Sequence, residues 1–177
     1  MTIATPRIDK LVIIGVGLIG GSFALALKQS GAVGQVVGVG RTRKNLDSAI
    51  ELGIIDEASL DATVAVRDAD LVFIGTPVGQ MPEVMAAIAP GLSASSVVTD
   101  GGSTKQDVIG YARRFLGAHF ARFVPSHPIA GTEKSGASAA YAELYRGRNV
   151  IIAPQAQTRA DAVERVRSAW EACGAHV

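Results

Sequence analysis

The sequence predicts an α/β fold in which a doubly wound, mostly parallel sheet carries helices on both faces. Short apolar runs rich in β-branched residues alternate with stretches whose apolar residues recur at helical spacing, which is typical of parallel sheets covered by helices. The first run ends in a glycine-rich turn that opens a helix. The 177 residues are 48% hydrophobic and 19% charged, which suits one domain with a substantial core.

The first strand and the turn after it predict a dinucleotide site of the Rossmann type. Residues 11–14 are apolar, and Gly15, Gly17 and Gly20 follow at GxGxxG spacing. Gly15 allows a tight turn, Gly17 lets a pyrophosphate approach the backbone, and Gly20 lets the helix lie close to the sheet. The first helical residues, Leu18 and Ile19, offer free amides to the anion. A glycine-rich turn without a ligand is the alternative.

The rest of the chain continues the alternation. Strands are predicted at residues 35–40, 71–75, 96–100, 121–125 and 149–153, with a short strand or turn at 54–56. Helices are predicted at residues 44–52, 60–66, 104–116, 139–145 and 158–173, and a further one has Pro82 in its first turn and runs to residue 89. Residues 127–138 form a polar loop that is longer than most connections, which makes it a functional candidate.

The end of the second strand predicts which cofactor is bound. Enzymes that use NAD carry an acidic residue about twenty residues after the glycine turn, whereas an arginine accommodates the 2′-phosphate of NADP. The chain has Gly40, Arg41, Thr42 and Arg43 at this place, so the charge favours NADP over NAD. The two arginines can instead belong to a solvated loop, or one can stack on adenine without contacting a phosphate.

Two later strand ends face the same crevice, because ligands of such sheets lie outside the carboxyl ends of the strands. Thr76 and Pro77 follow one strand and are expected to border the cofactor. Ser103 follows the next and can contact nicotinamide or substrate, or it can cap the following helix. Lys105 is expected to be a surface residue or a first-turn residue of that helix, and not a catalytic one.

Charge and cysteine content exclude some classes of partner and predict a compartment. The net charge of +1 gives no reason to expect nucleic acid or an anionic membrane as partner, and no metal site is predicted. The single cysteine, Cys173, is expected to be a buried, inert thiol, which suits a reducing compartment. No apolar stretch reaches transmembrane length and residues 1–10 lack the apolar core of a secretory signal, so we expect a cytoplasmic protein.

The polar loop carries the most specific pattern in the chain. Its sequence PSHPIAGTEKSG contains HPxAGxExSG, which starts at His127. Together with the GxGxxG start, the Thr76-Pro77 pair and the GS-x-K pattern that starts at Gly102, it resembles the prephenate/arogenate (cyclohexadienyl) dehydrogenases of tyrosine biosynthesis. The resemblance covers the whole chain, residues 1–177, as the nucleotide-binding domain of that family.

The resemblance implies an NAD(P)-dependent oxidative decarboxylation of prephenate, arogenate or both. His127 matches the family's catalytic histidine, which accepts the proton of the substrate hydroxyl, and imidazole can take up a proton near neutral pH. Ser103 matches a serine that holds both nicotinamide and substrate. Thr132 matches a position that lines the substrate pocket, and Glu133 an acidic residue at its entrance. An exposed Glu133 without a role is the alternative.

The resemblance also implies a second domain. In the family, a helical C-terminal domain builds a homodimer and supplies an arginine for a substrate carboxylate. Because the chain stops as residues 175–177 begin a strand, we expect this part to be absent here and the fragment to bind cofactor with little activity. Arg146 and Arg148 are expected to face solvent or to be structural, and do not replace the missing arginine.

Two alternative functions remain open from the sequence. A β-hydroxyacid dehydrogenase or a pyrroline carboxylate reductase would share the glycine turn but lack the HPxAGxExSG loop. A non-catalytic module that binds NADP would tolerate replacement of His127 without loss of turnover. An enzyme that loses its general base would slow by about two to four orders of magnitude.

Overall fold

The computed structural model describes residues 7–177, and its centre is a parallel sheet of six strands. In chain order the strands are β1 (Ile8–Ile14), β2 (Val33–Val39), β3 (Glu57–Ser59), β4 (Leu71–Ile74), β5 (Val97–Asp100) and β6 (Phe123–Val124). Their spatial order is β3-β2-β1-β4-β5-β6, so the direction of winding reverses between β1 and β4. This is the doubly wound Rossmann order, and it confirms the predicted fold class.

Helices cover both faces of the sheet. They are α1 (Leu18–Gln29), α2 (Arg43–Glu51), α3 (Ala62–Ala65), α4 (Met81–Ile88), α5 (Lys105–Phe115) and α6 (Ala160–Ala172). One apolar core lies under α1, α2 and α6, and a second lies under α3, α4 and α5. Leu11 and Ile13 of β1 join the first core, while Val12 and Ile14 join the second. Burial on both faces explains why these strands are continuous apolar runs.

An aromatic cluster fixes the orientation of α1. The ring centroid of Phe23 lies 4.7 Å from that of Phe73 and 4.6 Å from that of Trp170. Tyr145 packs edge-on against Trp170 at 4.9 Å. Its hydroxyl donates a 2.6 Å hydrogen bond to the Ile19 carbonyl in the first turn of α1. The start of α1 is therefore tied both to the sheet and to the C-terminal part of the chain.

The prediction of a helix at residues 139–145 is wrong. A 3₁₀ helix at Ala137–Ala139 is followed by turns through residue 147. The amide of Tyr141 donates to the Ser22 hydroxyl over 3.0 Å, and the amide of Arg146 donates to the Glu143 carbonyl over 3.1 Å. These amides are thus used outside an α-helical ladder, and the packing of Tyr145 in the aromatic cluster overrides the helical spacing of the sequence.

The chain beyond β5 also differs from expectation. A 3₁₀ helix (Gly117–Arg122) replaces the first part of the strand predicted at 121–125. The predicted loop begins with a strand, β7 (Ser126–Pro128), which pairs antiparallel with β8 (Val150–Ile152) in a small second sheet. His127 therefore lies in a strand. The strand predicted at 175–177 is a single bridge from His176 to Asn149.

The other predicted elements are confirmed with shifted ends, apart from the short strand or turn at 54–56. No strand forms at these residues; the chain bends at 54 and 56 with Ile54 and Ile55 buried, so the turn alternative fits better, and the strand follows as β3. No helix within residues 7–177 is long and apolar enough to cross a membrane. Residues 1–6, where part of the secretory-signal prediction falls, lie outside the described residues.

Candidate functional site

The glycine turn joins β1 to α1, and its geometry at Gly15 and Gly20 is the one that the spacing predicts. Gly15 has φ +89°, and a Cβ there would lie 3.0 Å from the backbone of Gly75. A Cβ on Gly20 would lie 2.6 Å from the Gly15 carbonyl oxygen, so this glycine lets α1 approach the turn. A Cβ on Gly17 would meet no described atom within 4 Å. Gly17 therefore borders open space, as a ligand-facing position requires.

The N-terminus of α1 presents backbone donors beside Gly17. The first hydrogen bond of the helix runs from the Gly21 amide to the Gly17 carbonyl, over 2.8 Å. The amides of Leu18, Ile19 and Gly20 precede that bond, and the first turn holds no acidic residue. Helix N-termini of this kind favour anions, because free N–H groups and the helix dipole both attract negative charge.

Thr76 and Pro77 lie directly after β4, the strand next to β1 in the sheet. The Thr76 hydroxyl oxygen is buried and has no hydrogen-bond partner among residues 7–177. A buried hydroxyl without a partner costs free energy, and a hydrogen bond to a polar group of a ligand would remove that cost. The glycine turn, the α1 amides and this hydroxyl together fit a dinucleotide.

The end of β2 carries exposed cations and no acid. Gly40, Arg41 and Thr42 lead into α2, and Thr42 is its N-cap without a side-chain hydrogen bond. Arg43 Nε lies 2.9 Å from Asp47 Oδ1, in an ion pair whose side chains are both at least half exposed. Arg41 makes no ion pair with any residue of the described chain. Exposed pairs are weak, so both arginines remain available to an anion.

Asp100 is a buried carboxylate at the end of β5. Its Oδ2 accepts the Gly102 amide over 2.8 Å and pairs with the Lys105 ammonium, while its Oδ1 accepts the Ser126 amide over 3.1 Å. Desolvation by burial raises the pKa of Asp100, and Lys105 with the two amides opposes that shift. Three donors on one carboxylate support its ionised form.

Lys105 lies in the first turn of α5, which is one of the two placements that the sequence predicts, but it is not at the surface. Its side chain is only 16% exposed, and its Nζ donates to the Ser126 carbonyl over 2.7 Å as well as to Asp100. Burial lowers the pKa of Lys105, and Asp100 opposes that shift. The sequence shows Asp100 at the end of an apolar strand and Lys105 five residues later. It does not show that both contact Ser126, because Ser126 is more than twenty residues away along the chain.

Ser103 and His127 follow neighbouring strands at one edge of the sheet, after β5 and β6. Ser103 is exposed, and Thr104 is the N-cap of α5, so the alternative in which Ser103 caps this helix is wrong. His127 is half-buried and pairs with Ile151 across the small sheet. Its ring makes no hydrogen bond within residues 7–177, which leaves both ring nitrogens available.

The segment after β7 is open to solvent. Thr132 and Glu133 are exposed and line a cleft of about 790 Å³ together with Gly131 and Lys134. The Thr132 hydroxyl accepts the Lys134 amide over 3.1 Å. Arg146 and Arg148 are exposed, as predicted. Thr132 and Glu133 can therefore contact a ligand, but the described residues do not enclose one there.

Comparison with known proteins gives consistent matches. A family model described as prephenate dehydrogenase, nucleotide-binding domain, matches residues 23–177. The chain is 39% identical over 167 residues to the cyclohexadienyl dehydrogenase of Zymomonas mobilis, covering 94% of this chain and 56% of the relative. It is 35% identical over 169 residues to the prephenate dehydrogenase of Bacillus subtilis, covering 95% of this chain and 45% of the relative.

A solved structure agrees with these matches. The prephenate dehydrogenase of Aquifex aeolicus, in complex with hydroxyphenyl propionate and NAD⁺, superposes with a TM-score of 0.89 at 36% identity, covering 97% of this chain and 59% of that chain. The chain spans about half the length of the curated relatives that it matches. Since the family model covers most of the sequence, the chain belongs to the prephenate dehydrogenase family and has the fold of its nucleotide-binding domain.

Proposed function

We propose that this chain binds a nicotinamide dinucleotide and carries the dehydrogenase chemistry of an oxidative decarboxylation of prephenate, arogenate or both. The observation that carries the proposal is the placement of His127 and Ser103 after neighbouring strands, at the sheet edge where the glycine turn opens. Membership of the prephenate dehydrogenase family supports the class of reaction. The HPxAGxExSG segment favours this reading over other dehydrogenases that share the glycine turn.

The dinucleotide would lie across the carboxyl edge of the sheet. Its pyrophosphate would take the α1 amides beside Gly17, and a ribose or nicotinamide group would meet the Thr76 hydroxyl. Because Arg41 makes no ion pair within residues 7–177 and no acid follows β2, we propose that the chain prefers NADP to NAD. Arg43 would add a second contact if it left Asp47.

The chain's own residues would position the substrate and receive a proton. A bound nicotinamide supplies the acceptor for the hydride that leaves the substrate ring carbon bearing the hydroxyl. The His127 imidazole would take the hydroxyl proton as that hydride leaves, while the ring carboxylate departs as carbon dioxide and the ring becomes aromatic. Ser103 would hold the same hydroxyl beside the nicotinamide. Thr132 and Glu133 would border the substrate in the open cleft.

A further domain would complete the site. The curated relatives are about twice as long as this chain, and Thr132 and Glu133 are exposed. We propose that an additional helical domain covers this cleft, forms a homodimer and supplies the group that binds a substrate carboxylate. The low turnover expected of the chain alone follows from that open cleft. The single, buried Cys173 supports a cytoplasmic protein.

Calorimetric titration of the chain with NADP and with NAD tests the dinucleotide site. We expect NADP to bind more tightly, and Arg41→Ala to remove about tenfold or more of that preference. Arg43→Ala should have the smaller effect, because its guanidinium already pairs with Asp47. Arg67→Ala, in an exposed residue between α3 and β4, is the matched control. Equal affinities for the two nucleotides would refute the NADP preference, and absence of binding would refute the site.

A single-turnover assay tests the chemistry. The chain is held in excess over prephenate or arogenate with saturating dinucleotide, and carbon dioxide and the reduced nicotinamide are measured together. We expect slow, equimolar formation of both, and a fall of about two to four orders of magnitude in His127→Gln. The matched control is His119→Gln, in the 3₁₀ helix before β6. A measurable rate that His127→Gln leaves unchanged would refute His127 as the base, and no product formation by the unaltered chain would favour a non-catalytic module.

A further inference from the structure

One buried carboxylate binds both loops that carry the proposed reacting groups. Asp100 accepts the amide of Gly102, which precedes Ser103, and the amide of Ser126, which precedes His127. The two amides reach different oxygens of the same carboxylate. Asp100 itself is fully buried. One buried carboxylate in the sheet therefore binds the backbone next to Ser103 and the backbone next to His127.

Lys105 completes this arrangement from the first turn of α5. Its ammonium pairs with Asp100 and donates to the Ser126 carbonyl over 2.7 Å. The peptide groups on both sides of Ser126 are thus held, one by each member of the ion pair. The Ser126 hydroxyl also donates to the Asp100 carbonyl. The residue that leads into His127 consequently has its backbone and its side chain fixed.

We propose that Asp100, with Lys105 as its counter-charge, is a positioning residue that sets the distance between Ser103 and His127. It touches neither substrate nor cofactor. The inference rests on the proposed function only in naming Ser103 and His127 as reacting groups. Placement of this kind matters for catalysis, because a displacement of about 1 Å can cost about a hundredfold in rate.

The variant Asp100→Asn separates the positioning role of Asp100 from its role in filling space. The amide has nearly the same shape, but it has one acceptor oxygen where the carboxylate has two. It can therefore hold the Gly102 amide or the Ser126 amide, and not both. Its nitrogen would also face a donor at the remaining contact. One of the two loops must be released in Asp100→Asn.

Asp70 provides a matched control at the opposite edge of the sheet. This carboxylate precedes β4, accepts the amides of Asp9 and Lys10 over 2.8 and 3.0 Å, and pairs with Arg165 over 3.5 Å. It thus performs the same kind of backbone binding with an arginine as counter-charge. Both amides bind the same oxygen of Asp70, and its side chain is 34% exposed, so Asp70→Asn should disturb stability less than Asp100→Asn. It cannot change the segments that carry Ser103 and His127.

Nuclear magnetic resonance of the ligand-free chain tests the proposal. The chain has three histidines, so the His127 ring signal is the one that His127→Gln removes. We expect Asp100→Asn to shift or double both the His127 ring signal and the Ser103 amide signal, and Asp70→Asn to change neither. The proposal is overturned if Asp100→Asn leaves both signals in place, or if Asp70→Asn changes them equally.

A second variant covers the case in which Asp100→Asn fails to fold because Lys105 is left as an unpaired buried cation. The double variant Asp100→Asn with Lys105→Met removes both charges, and the same two signals should be displaced. Native signals in the double variant would overturn the proposal. None of these measurements needs a ligand, so a failure of dinucleotide binding would count against the proposed function and not against this inference.

Discussion

Substituting Gly17 and Gly20 separately should divide cofactor binding from folding. A Cβ on Gly20 would lie 2.6 Å from the Gly15 carbonyl oxygen and 2.8 Å from Ile13 Cγ2. Overpacking of this kind costs about 1–3 kcal/mol, and the upper end applies because a backbone oxygen in a tight turn cannot rotate away. Alanine is better than glycine in a helix by about 1 kcal/mol, which leaves a net loss of about 2 kcal/mol.

Gly17→Ala should behave in the opposite way. The new Cβ meets no described atom within 4 Å, and the backbone of Gly17 is extended, with a negative φ of −115°. The free energy of unfolding should therefore change by less than about 0.5 kcal/mol. Dinucleotide affinity should fall by about tenfold or more, or about 1.4 kcal/mol, since the methyl group would lie in the path of the pyrophosphate.

Two measurements on each variant decide the matter. Urea denaturation followed by circular dichroism gives the free energy of unfolding, and the loss in Gly20→Ala corresponds to a fall of about 4–8 °C in Tm. Calorimetry with NAD and NADP gives the affinity. Gly110→Ala is the control, because a Cβ in that exposed position of α5 meets no described atom within 4 Å and should stabilise by about 0.5–1 kcal/mol. Undiminished stability in Gly20→Ala, or undiminished affinity in Gly17→Ala, would refute the assigned roles.

Three further predictions concern buried groups. Lys105→Met should lower the free energy of unfolding, measured in urea, by about 3–5 kcal/mol, because it leaves the Asp100 carboxylate unpaired. Adding Asp100→Asn should restore part of that free energy. A loss below about 1 kcal/mol in Lys105→Met would contradict the ion pair. Tyr145→Phe should lower the free energy of unfolding by about 1 kcal/mol, because it removes the hydrogen bond to the Ile19 carbonyl. Tyr111→Phe is the control, and equal losses in the two variants would contradict a stabilising role of this hydrogen bond. Burial raises the pKa of the Cys173 thiol above its ordinary value of 9.0, so the free energy of unfolding should fall as pH rises beyond that value, and Cys173→Ala should remove this component of the slope.

Local patterns predicted the part of the site that lies within one stretch of chain. The glycine turn is such a stretch, and the conformation of Gly15 and the close approach at Gly20 follow from spacing alone. The doubly wound, mostly parallel class of the sheet was also predicted, because apolar runs alternating with helices restrict the topology. The place of Thr76 directly after a strand was also predicted, and its role toward the cofactor stays a prediction.

Contacts between distant residues could not be predicted in the same way. Lys105 was expected at the surface or in the first turn of its helix, and its burial was not predicted, because nothing within that helix shows that Asp100 and Ser126 surround it. The apolar residues at 139–145 have helical spacing, but no helix forms there, because Tyr145 packs against Trp170 in another part of the chain. His127 was singled out by its motif, whereas the strand that carries it could not be predicted, because it forms only by pairing with β8, more than twenty residues away.

The small sheet of β7 and β8 gives the proposed site a cooperativity different from that of the main sheet. Two-stranded ribbons have little stability by themselves, so this one depends on its attachments, among them the bond from the Ala153 amide to the Pro125 carbonyl and that from the Val150 amide to the His176 carbonyl. Amide hydrogens of β1, enclosed on both sides, should exchange with solvent only when the whole domain unfolds. Those of β7 can exchange when the ribbon alone opens, and each such opening would carry His127 away from the sheet edge. If His127 is the base that we propose, the lifetime of the ribbon would limit how long the proposed geometry persists.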